Sequence, residues 1–206
     1  IIIKIDPNLY NINLFSANQY NHGNLTVEEW AERYNLIISL NAGMFQEDYS
    51  SNVGYMKEFN YINNPYINSY QSIAAFNPKD STEKQFKIFD IEKYNGKINK
   101  NEIRDIISNY NSVIQNLRLI KRPAENRWSQ KKEKWSEIAL GEDKNGNMLL
   151  IFCRSPYSMH DLNNILIDLP INIMSAQHLE GGPEADAVGV LQILEAQHRL
   201  GQRQLL

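Results

Sequence analysis

The chain opens on the apolar run Ile1-Ile2-Ile3-Lys4-Ile5 and, after Asp6-Pro7-Asn8, alternates through Tyr10-Asn11-Ile12-Asn13-Leu14-Phe15. β-Branched residues and a period of two, split by a Pro-Asn turn, predict two strands joined as a hairpin. Thr26 and Glu29 then stand at capping-box spacing, with Trp30 and Tyr34 about one turn apart behind them, so a helix is expected to run to about Asn35. Residues 36–40 form a buried strand that delivers Asn41 to a loop, where Gly43 lets the backbone turn sharply. Residues 53–59, 72–76 and 86–89 predict further strands, and Ile103, Ile106 and Ile107 place a helix over 101–110.

Residues 112–120 carry Gln115, Asn116 and Arg118 on one strand; the polar, aperiodic stretch 121–134 that follows is expected to be a long exposed loop. Strands 135–140 and 147–153 flank Asp143-Lys144-Asn145-Gly146, whose Asn-Gly pair marks a hairpin. Ser158 is placed to cap a helix to residue 169, with Asp161 three residues on. A last strand, 171–179, runs into Glu180-Gly181-Gly182-Pro183. From about Asp186, Asn and Ile give way to Ala, Leu, Gln and Arg, and Val190, Leu191 and Leu194 fall at roughly helical spacing. Residues 186–206 are therefore expected to be a helical or disordered tail, removable from a domain spanning 1–185. The whole pattern predicts the α+β class, a single domain with a twisted mixed or antiparallel sheet flanked by a few helices.

At 206 residues, 42% hydrophobic and 22% charged, the chain can bury one sizeable core. A net charge of -3 leaves no basic surplus to neutralise a phosphate backbone, so nucleic acid is not an expected partner. No apolar stretch approaches the ~20 residues of a membrane span. The chain starts at Ile1 rather than Met, which points to a missing upstream segment such as a removed signal peptide. Cys153, alone and inside an apolar run, is expected to be a buried core thiol. A Gly-rich nucleotide loop and a Gly-x-Ser-x-Gly elbow are both missing from the sequence, which removes two common enzyme classes. His160, His178 and the carboxylates lack tight metal-ligand spacing, so no metal or other cofactor is expected, with calcium at Glu180 or Asp143 the one case left open.

Three strand ends carry polar residues that packing alone does not require: Asn41 to Phe45, Asn116 with Arg118, and His178 to Pro183. Along the chain come, in order, Leu40-Asn41-Ala42-Gly43-Met44-Phe45, Asn52-Val53-Gly54-Tyr55, Gln115-Asn116-Leu117-Arg118-Leu119-Ile120, and Trp135-Ser136-Glu137 with Ala139-Leu140-Gly141. Arg154-Ser155-Pro156-Tyr157 and His178-Leu179-Glu180-Gly181-Gly182-Pro183-Glu184-Ala185 complete the series. In order and type these motifs resemble the phosphodiester glycosidase family over residues 1–185, and in particular a bacterial branch with Glu-Gly-Gly-Pro-Glu-Ala where other members have Asp-Gly-Gly. That family includes a lysosomal enzyme that removes a covering N-acetylglucosamine to expose mannose 6-phosphate. The resemblance implies a hydrolase acting on a phosphorylated carbohydrate, a sugar-1-phosphodiester in a glycan or envelope polymer, in an extracytoplasmic location. A non-catalytic carbohydrate or envelope-polymer binding module on the same fold is the alternative, because the match stops after Ala185 where a further strand is due.

Cleavage between an anomeric carbon and a phosphate passes through an oxocarbenium-like state that a carboxylate can stabilise or attack. Glu180 is the natural candidate, with Asp48 or Asp143 as the second carboxylate. The leaving phosphate is already anionic, so it needs charge stabilisation more than a proton, and the planar forks of Arg118 and Arg154 suit that task. Gly181 and Gly182 can present backbone N–H groups to an anion. Asn41, Gly43, Asn116 and Ser155 are candidates for holding the sugar, and His178, on the same strand face as Glu180, for orienting it or moving a proton. Each also has a plain structural reading. Gly181-Gly182-Pro183 can be a turn, Asn41 a cap, Arg154 a partner of Asp161, Arg118 an exposed strand residue and His178 a satisfied core group. Trp128 and Trp135 either frame a sugar-binding loop or anchor it. Asn41, Arg118, Arg154 and Glu180 are expected to converge on one pocket.

Overall fold

A computed structural model describes residues 1–21, 25–48, 50–181 and 189–195. The N-terminal half holds β1 (Ile2–Ile5), β2 (Tyr10–Ser16), α1 (Val27–Tyr34), β3 (Ile38–Asn41), β4 (Met56–Glu58), β5 (Tyr61–Asn64), β6 (Ser72–Pro78) and β7 (Phe86–Asp90). After a short hairpin of β8 (Lys93–Tyr94) and β9 (Lys97–Ile98) come α2 (Lys100–Asn109), β10 (Tyr110–Asn116) and β11 (Arg118–Ile120). β12 (Trp135–Asp143), β13 (Met148–Tyr157), α3 (Met159–Asp168), β14 (Ile173–Glu180) and β15 (Gly189–Glu195) complete the described chain.

Every strand pairing is antiparallel, and sheet dominates helix. One sheet has the order β1-β13-β12-β14-β11, a second β5-β4-β10-β6-β7 and a third β2-β15-β3. All three contribute to one core, with Ile5, Leu140 and Leu179 from the first, Phe76, Ile88 and Ile114 from the second, and Ile12 and Leu14 from the third. α3 covers the outer face of the first sheet through Met159, Leu162 and Leu166. α2 covers the second through Ile103 and Ile106. α1 lays its one fully buried residue, Trp30, against Phe15 of β2, a burial of 150–250 Å² or roughly 4–6 kcal/mol before entropy.

Local signals set the local elements. Thr26 caps α1 by accepting from the Glu29 N–H at 3.2 Å, and Glu29 accepts in return from the Thr26 N–H at 2.7 Å. Asn35, with φ 51°, ends the helix in the left-handed region that Asn tolerates. Asp143 ties the β12–β13 hairpin by accepting from the N–H groups of Asn145 and Asn147 at 2.8 and 2.9 Å, and Gly146 supplies the φ of 83°. Ser158 caps α3 as its spacing predicts.

Non-local pairings differ from expectation. β1 and β2 are strands but not a hairpin: β1 pairs with β13 and β2 with β15. The strand expected over 112–120 breaks at Leu117, whose carbonyl accepts from the His178 N–H at 2.9 Å, so β10 and β11 belong to different sheets. Tyr110 opens β10 rather than closing a helix. Cys153 is half-buried rather than fully buried. Residues 189–195, expected as a helix or disordered, form β15 between β2 and β3, so this part of the expected tail is a strand of the fold. A short apolar run does not distinguish helix from strand by periodicity, and here two strands lacking a common neighbour decide it. The remaining tail residues, 186–188 and 196–206, lie outside the described residues.

One charge in this frame is costly. Glu58 of β4 is buried, its Oε2 has no hydrogen-bond partner, and burial pushes its carboxyl up to about 7 against hydrogen bonds from Ser112 and the Leu14 backbone. The folded state therefore holds this proton more tightly than the unfolded chain, so its contribution is present at low pH and lost as pH rises from about 4.5 towards 7. Glu58→Gln is expected to stabilise the protein by about 2 kcal/mol at pH 8 and by almost nothing at pH 4. Urea unfolding at the two pH values checks this; an equal effect at both would clear the carboxylate.

Candidate functional site

The C-terminal end of β14 builds a carboxylate–imidazole–carboxylate group. Ala139 of β12 pairs with His178 and Ile138 with Glu180, with a register shift between them that re-aims the local side chains. Glu137 of β12 is fully buried and places Oε1 2.5 Å from His178 Nδ1, while its Oε2 has no hydrogen-bond partner. Burial raises the Glu137 carboxyl above its ordinary value; the His178 hydrogen bond and charge pull against this and the Glu180 charge adds to it. Burial pulls the His178 imidazole down, but the Glu137 hydrogen bond and the charges of Glu137 and Glu180 outweigh it and leave it raised. An ionised Glu137 accepting from Nδ1–H leaves Nε2 as the nitrogen available for proton transfer.

Glycine at 181 is set by space. A Cβ there would lie 2.7 Å from the Ser136 carbonyl oxygen, with the His178 ring at 3.5 Å and Trp135 at 3.6 Å. The Gly181 N–H donates to Glu180 Oε1 at 2.9 Å. Glu180 itself is half-buried. Gly182 lies outside the described residues.

A second set of buried polar groups is made of amides at the ends of β3 and β10 and on β14. Asn41 ends β3 fully buried, and neither its Oδ1 nor its Nδ2 has a hydrogen-bond partner. Asn116 donates from Nδ2 to the Ala42 carbonyl at 3.3 Å and leaves Oδ1 unpartnered, as does Gln177 its Oε1. A Cβ on Gly43 would come within 2.3 Å of Asn116 Nδ2 and 2.5 Å of Asn52 Oδ1. Buried amide atoms without partners cost about 1–3 kcal/mol each, which stability does not reward and ligand binding can. Ala42 and Leu179, next in sequence to Asn41 and Glu180, share one core cluster, and Val190 of β15 pairs with Asn41.

The arginines stand on either side. In the first sheet Arg154, Glu137, Glu180 and Arg118 occupy the four successive strands β13, β12, β14 and β11. Arg118 pairs with Gln177, three residues and on the order of 10 Å along β14 from Glu180. It is not an exposed strand residue: its side chain is 14% exposed, with Nη1 3.6 Å from Glu92 and 3.9 Å from Asp90, and that nitrogen makes no hydrogen bond. Arg154 is exposed beside Cys153, the partner of Glu137 across the ladder. Asp161 accepts from Ser158 and Gln130 instead of pairing with Arg154. Ser155 is exposed, and its carbonyl accepts from Cys153 Sγ at 3.4 Å.

Asp143 stands far from Glu180, and Asp48 is tied to its own loop. Asp143 pairs with Ile173, seven residues and roughly 23 Å along β14 from Glu180, well beyond the separation of about 5–9.5 Å in a glycosidase pair. Its oxygens hold the hairpin turn and Lys4 Nζ, at 2.5 Å. Asp48 binds its own exposed loop through the N–H groups of Ser50 and Ser51 and the Ser51 hydroxyl, which lower its carboxyl to about 2. Glu137 is the carboxylate that shares a site with Glu180. The sequence shows it only within the motif Trp135-Ser136-Glu137, because its burial follows from strand pairing and Glu142 and Asp143 on the same strand are buried acids as well. Among the described residues no group of three or more His, Cys, Asp or Glu side chains is arranged to hold a metal ion.

The architecture has counterparts. The catalytic domain of zebrafish N-acetylglucosamine-1-phosphodiester α-N-acetylglucosaminidase, solved auto-inhibited by its pro-peptide, superposes with a TM-score of 0.71 at 14% identity, over 95% of this chain and 76% of that one. A hypothetical protein from Synechocystis superposes with a TM-score of 0.63 at 11% identity, over 95% of this chain and 59% of that one. At these identities the likeness shows the fold. No curated protein sequence is significantly similar. The family model for phosphodiester glycosidases matches residues 34–204, which takes in all the motifs above from Leu40 onward and runs through β15. The chain therefore belongs to the phosphodiester glycosidase family.

Proposed function

We propose that the protein is a hydrolase that cleaves a sugar-1-phosphodiester in a glycan or envelope polymer, outside the cytoplasm, with Glu180 at the anomeric centre. The observation that carries this reading is Glu180 at a strand end beside the His178–Glu137 pair. Glu180 stabilises or attacks the oxocarbenium-like carbon as the C1–O bond breaks and its electron pair passes to the phosphate oxygen. Water then adds its oxygen to C1, returning the electron pair of any C1–O bond to Glu180 as its carboxylate, and gives a proton to His178 Nε2, whose basicity Glu137 raises, and from there to solvent. The buried amides of Asn41 and Asn116 hold sugar polar groups, and Arg118 and Arg154 neutralise the phosphate.

The test is release of reducing sugar from a panel of sugar-1-phosphodiesters. Sustained turnover supports the hydrolase; binding without turnover supports a carbohydrate-binding module instead. That second reading had rested on a missing closing strand, and β15 now occupies such a place. Arg118→Ala and Arg154→Ala are each expected to lower kcat/KM by about tenfold or more, with KM rising as well as kcat falling, since the phosphate is charged in both ground and transition states. Steady-state kinetics on the cleaved substrate decides it, and an unchanged KM in both variants removes the arginines from the phosphate.

A further inference from the structure

At the β11 edge of the first sheet lies a cleft of about 390 Å³, of whose lining the reaction scheme uses Arg118 alone. Its wall carries four cations, Lys93, Arg118, Arg127 and Lys131, together with Tyr70 and Trp128, and among the described residues no carboxylate lines it. The segment 126–131 forms its rim. Asn126 donates to the His160 carbonyl and Asn164 Oδ1, Trp128 donates from Nε1 to the Arg118 carbonyl at 3.1 Å, and Gln130 donates to Asp161 at 3.1 Å. Those three residues fix the segment to α3 and β11, while Arg127, Ser129 and Lys131, with Trp128, line the cleft. A stretch that sequence suggested was simply an exposed loop is thus pinned in place. Glu125 pairs with Arg127 and Glu92 stands near Arg118, so the positive charge left over at the wall is that of Lys93 and Lys131, which an anion can meet. Aromatic faces beside cations suit a sugar ring that bears the charge.

We infer that this cleft binds an anionic segment of a glycan, that part of the substrate chain lying beyond the cleaved bond. The inference rests on the hydrolase reading for its orientation: Arg118 belongs both to the cleft and to the strand position on the order of 10 Å from Glu180. A charged glycan is held along β11 and delivers its end to Glu180, so segment 126–131 adds selectivity for phosphorylated chains to that of the cleavage point.

The test is calorimetric titration of the full chain carrying Glu180→Gln with phosphorylated maltopentaose and with unmodified maltopentaose. The phosphorylated probe is expected to bind at least tenfold more tightly. Adding Arg127→Glu and Lys131→Glu, both exposed and so compatible with an unchanged fold by circular dichroism, is expected to weaken the phosphorylated probe roughly tenfold or more and leave the neutral one unaffected. Equal affinity for the two probes, no measurable binding of the phosphorylated one at millimolar concentration, or a double charge reversal that changes its affinity by less than twofold would each overturn the inference. Failure of the wild-type protein to turn over sugar-1-phosphodiesters counts against the hydrolase reading alone and leaves the titration result standing.

Discussion

Glu180→Gln is expected to lower turnover of a cleaved sugar-1-phosphodiester by at least ~10²-fold while leaving substrate affinity almost unchanged. The amide keeps the shape of the carboxylate and can still accept from the Gly181 N–H, so the turn at Gly181 is preserved. What it loses is the negative charge beside the anomeric carbon, which matters only when positive charge develops there. The same substitution removes one of the charges that hold the His178 imidazole above its ordinary value, so the remaining activity should show its basic group titrating lower than in the wild type. Steady-state rates across pH 4 to 9 provide both readings. Retention of more than about a tenth of the wild-type rate would mean that Glu180 is not the carboxylate at the anomeric centre.

The strand end at Glu180 was legible from the chain because its signal is local, an acid closing a strand and followed by two glycines. The capping box at Thr26, the Asn145-Gly146 hairpin and the Ser158 cap were legible for the same reason, each needing only residues within four positions of one another. What could not be read was pairing across distance. β1 has the same alternating, β-branched character whether it folds onto β2 next door or onto β13 at the opposite end of the chain, and burial of Ile5 with Met148 and Leu150 selects the latter. β15 is similar, since nothing within 189–195 announces that β2 and β3 need a strand between them.

The site inherits that division. Asp143 drew notice as an acid in a motif-rich region, but the antiparallel run of β14 carries it to the end opposite Glu180. Glu137 stood only as part of a motif, although the same run brings it against His178. Arg118 looked like an open phosphate clamp because Asp90 and Glu92 are distant in sequence; β7 and the turn after it place both carboxylates near its guanidinium. Free charge, unlike a cap or a turn, is decided by the whole fold.

That dependence makes the Glu137–His178 pair the place where stability and activity can be separated. Glu137→Leu removes a fully buried carboxylate and leaves the imidazole, 9% exposed, without the partner that supports its charge. Breaking one side of a buried pair costs about 3 kcal/mol or more, so this variant is expected to be strongly destabilised, and His178→Leu alone likewise, because it strands the Glu137 carboxylate. The double variant Glu137→Leu with His178→Leu removes both polar groups at once and is expected to recover most of that loss, a non-additivity of about 2 kcal/mol or more in the cycle. Activity should not follow stability. If His178 accepts the proton of the attacking water, the double variant, though refolded, should remain at least ~10²-fold slow. Urea unfolding and steady-state rates on the same four proteins give the two cycles. A double variant that regained both stability and rate would reduce the pair to core packing, whereas recovery of stability alone assigns His178 to the chemistry and Glu137 to holding it there.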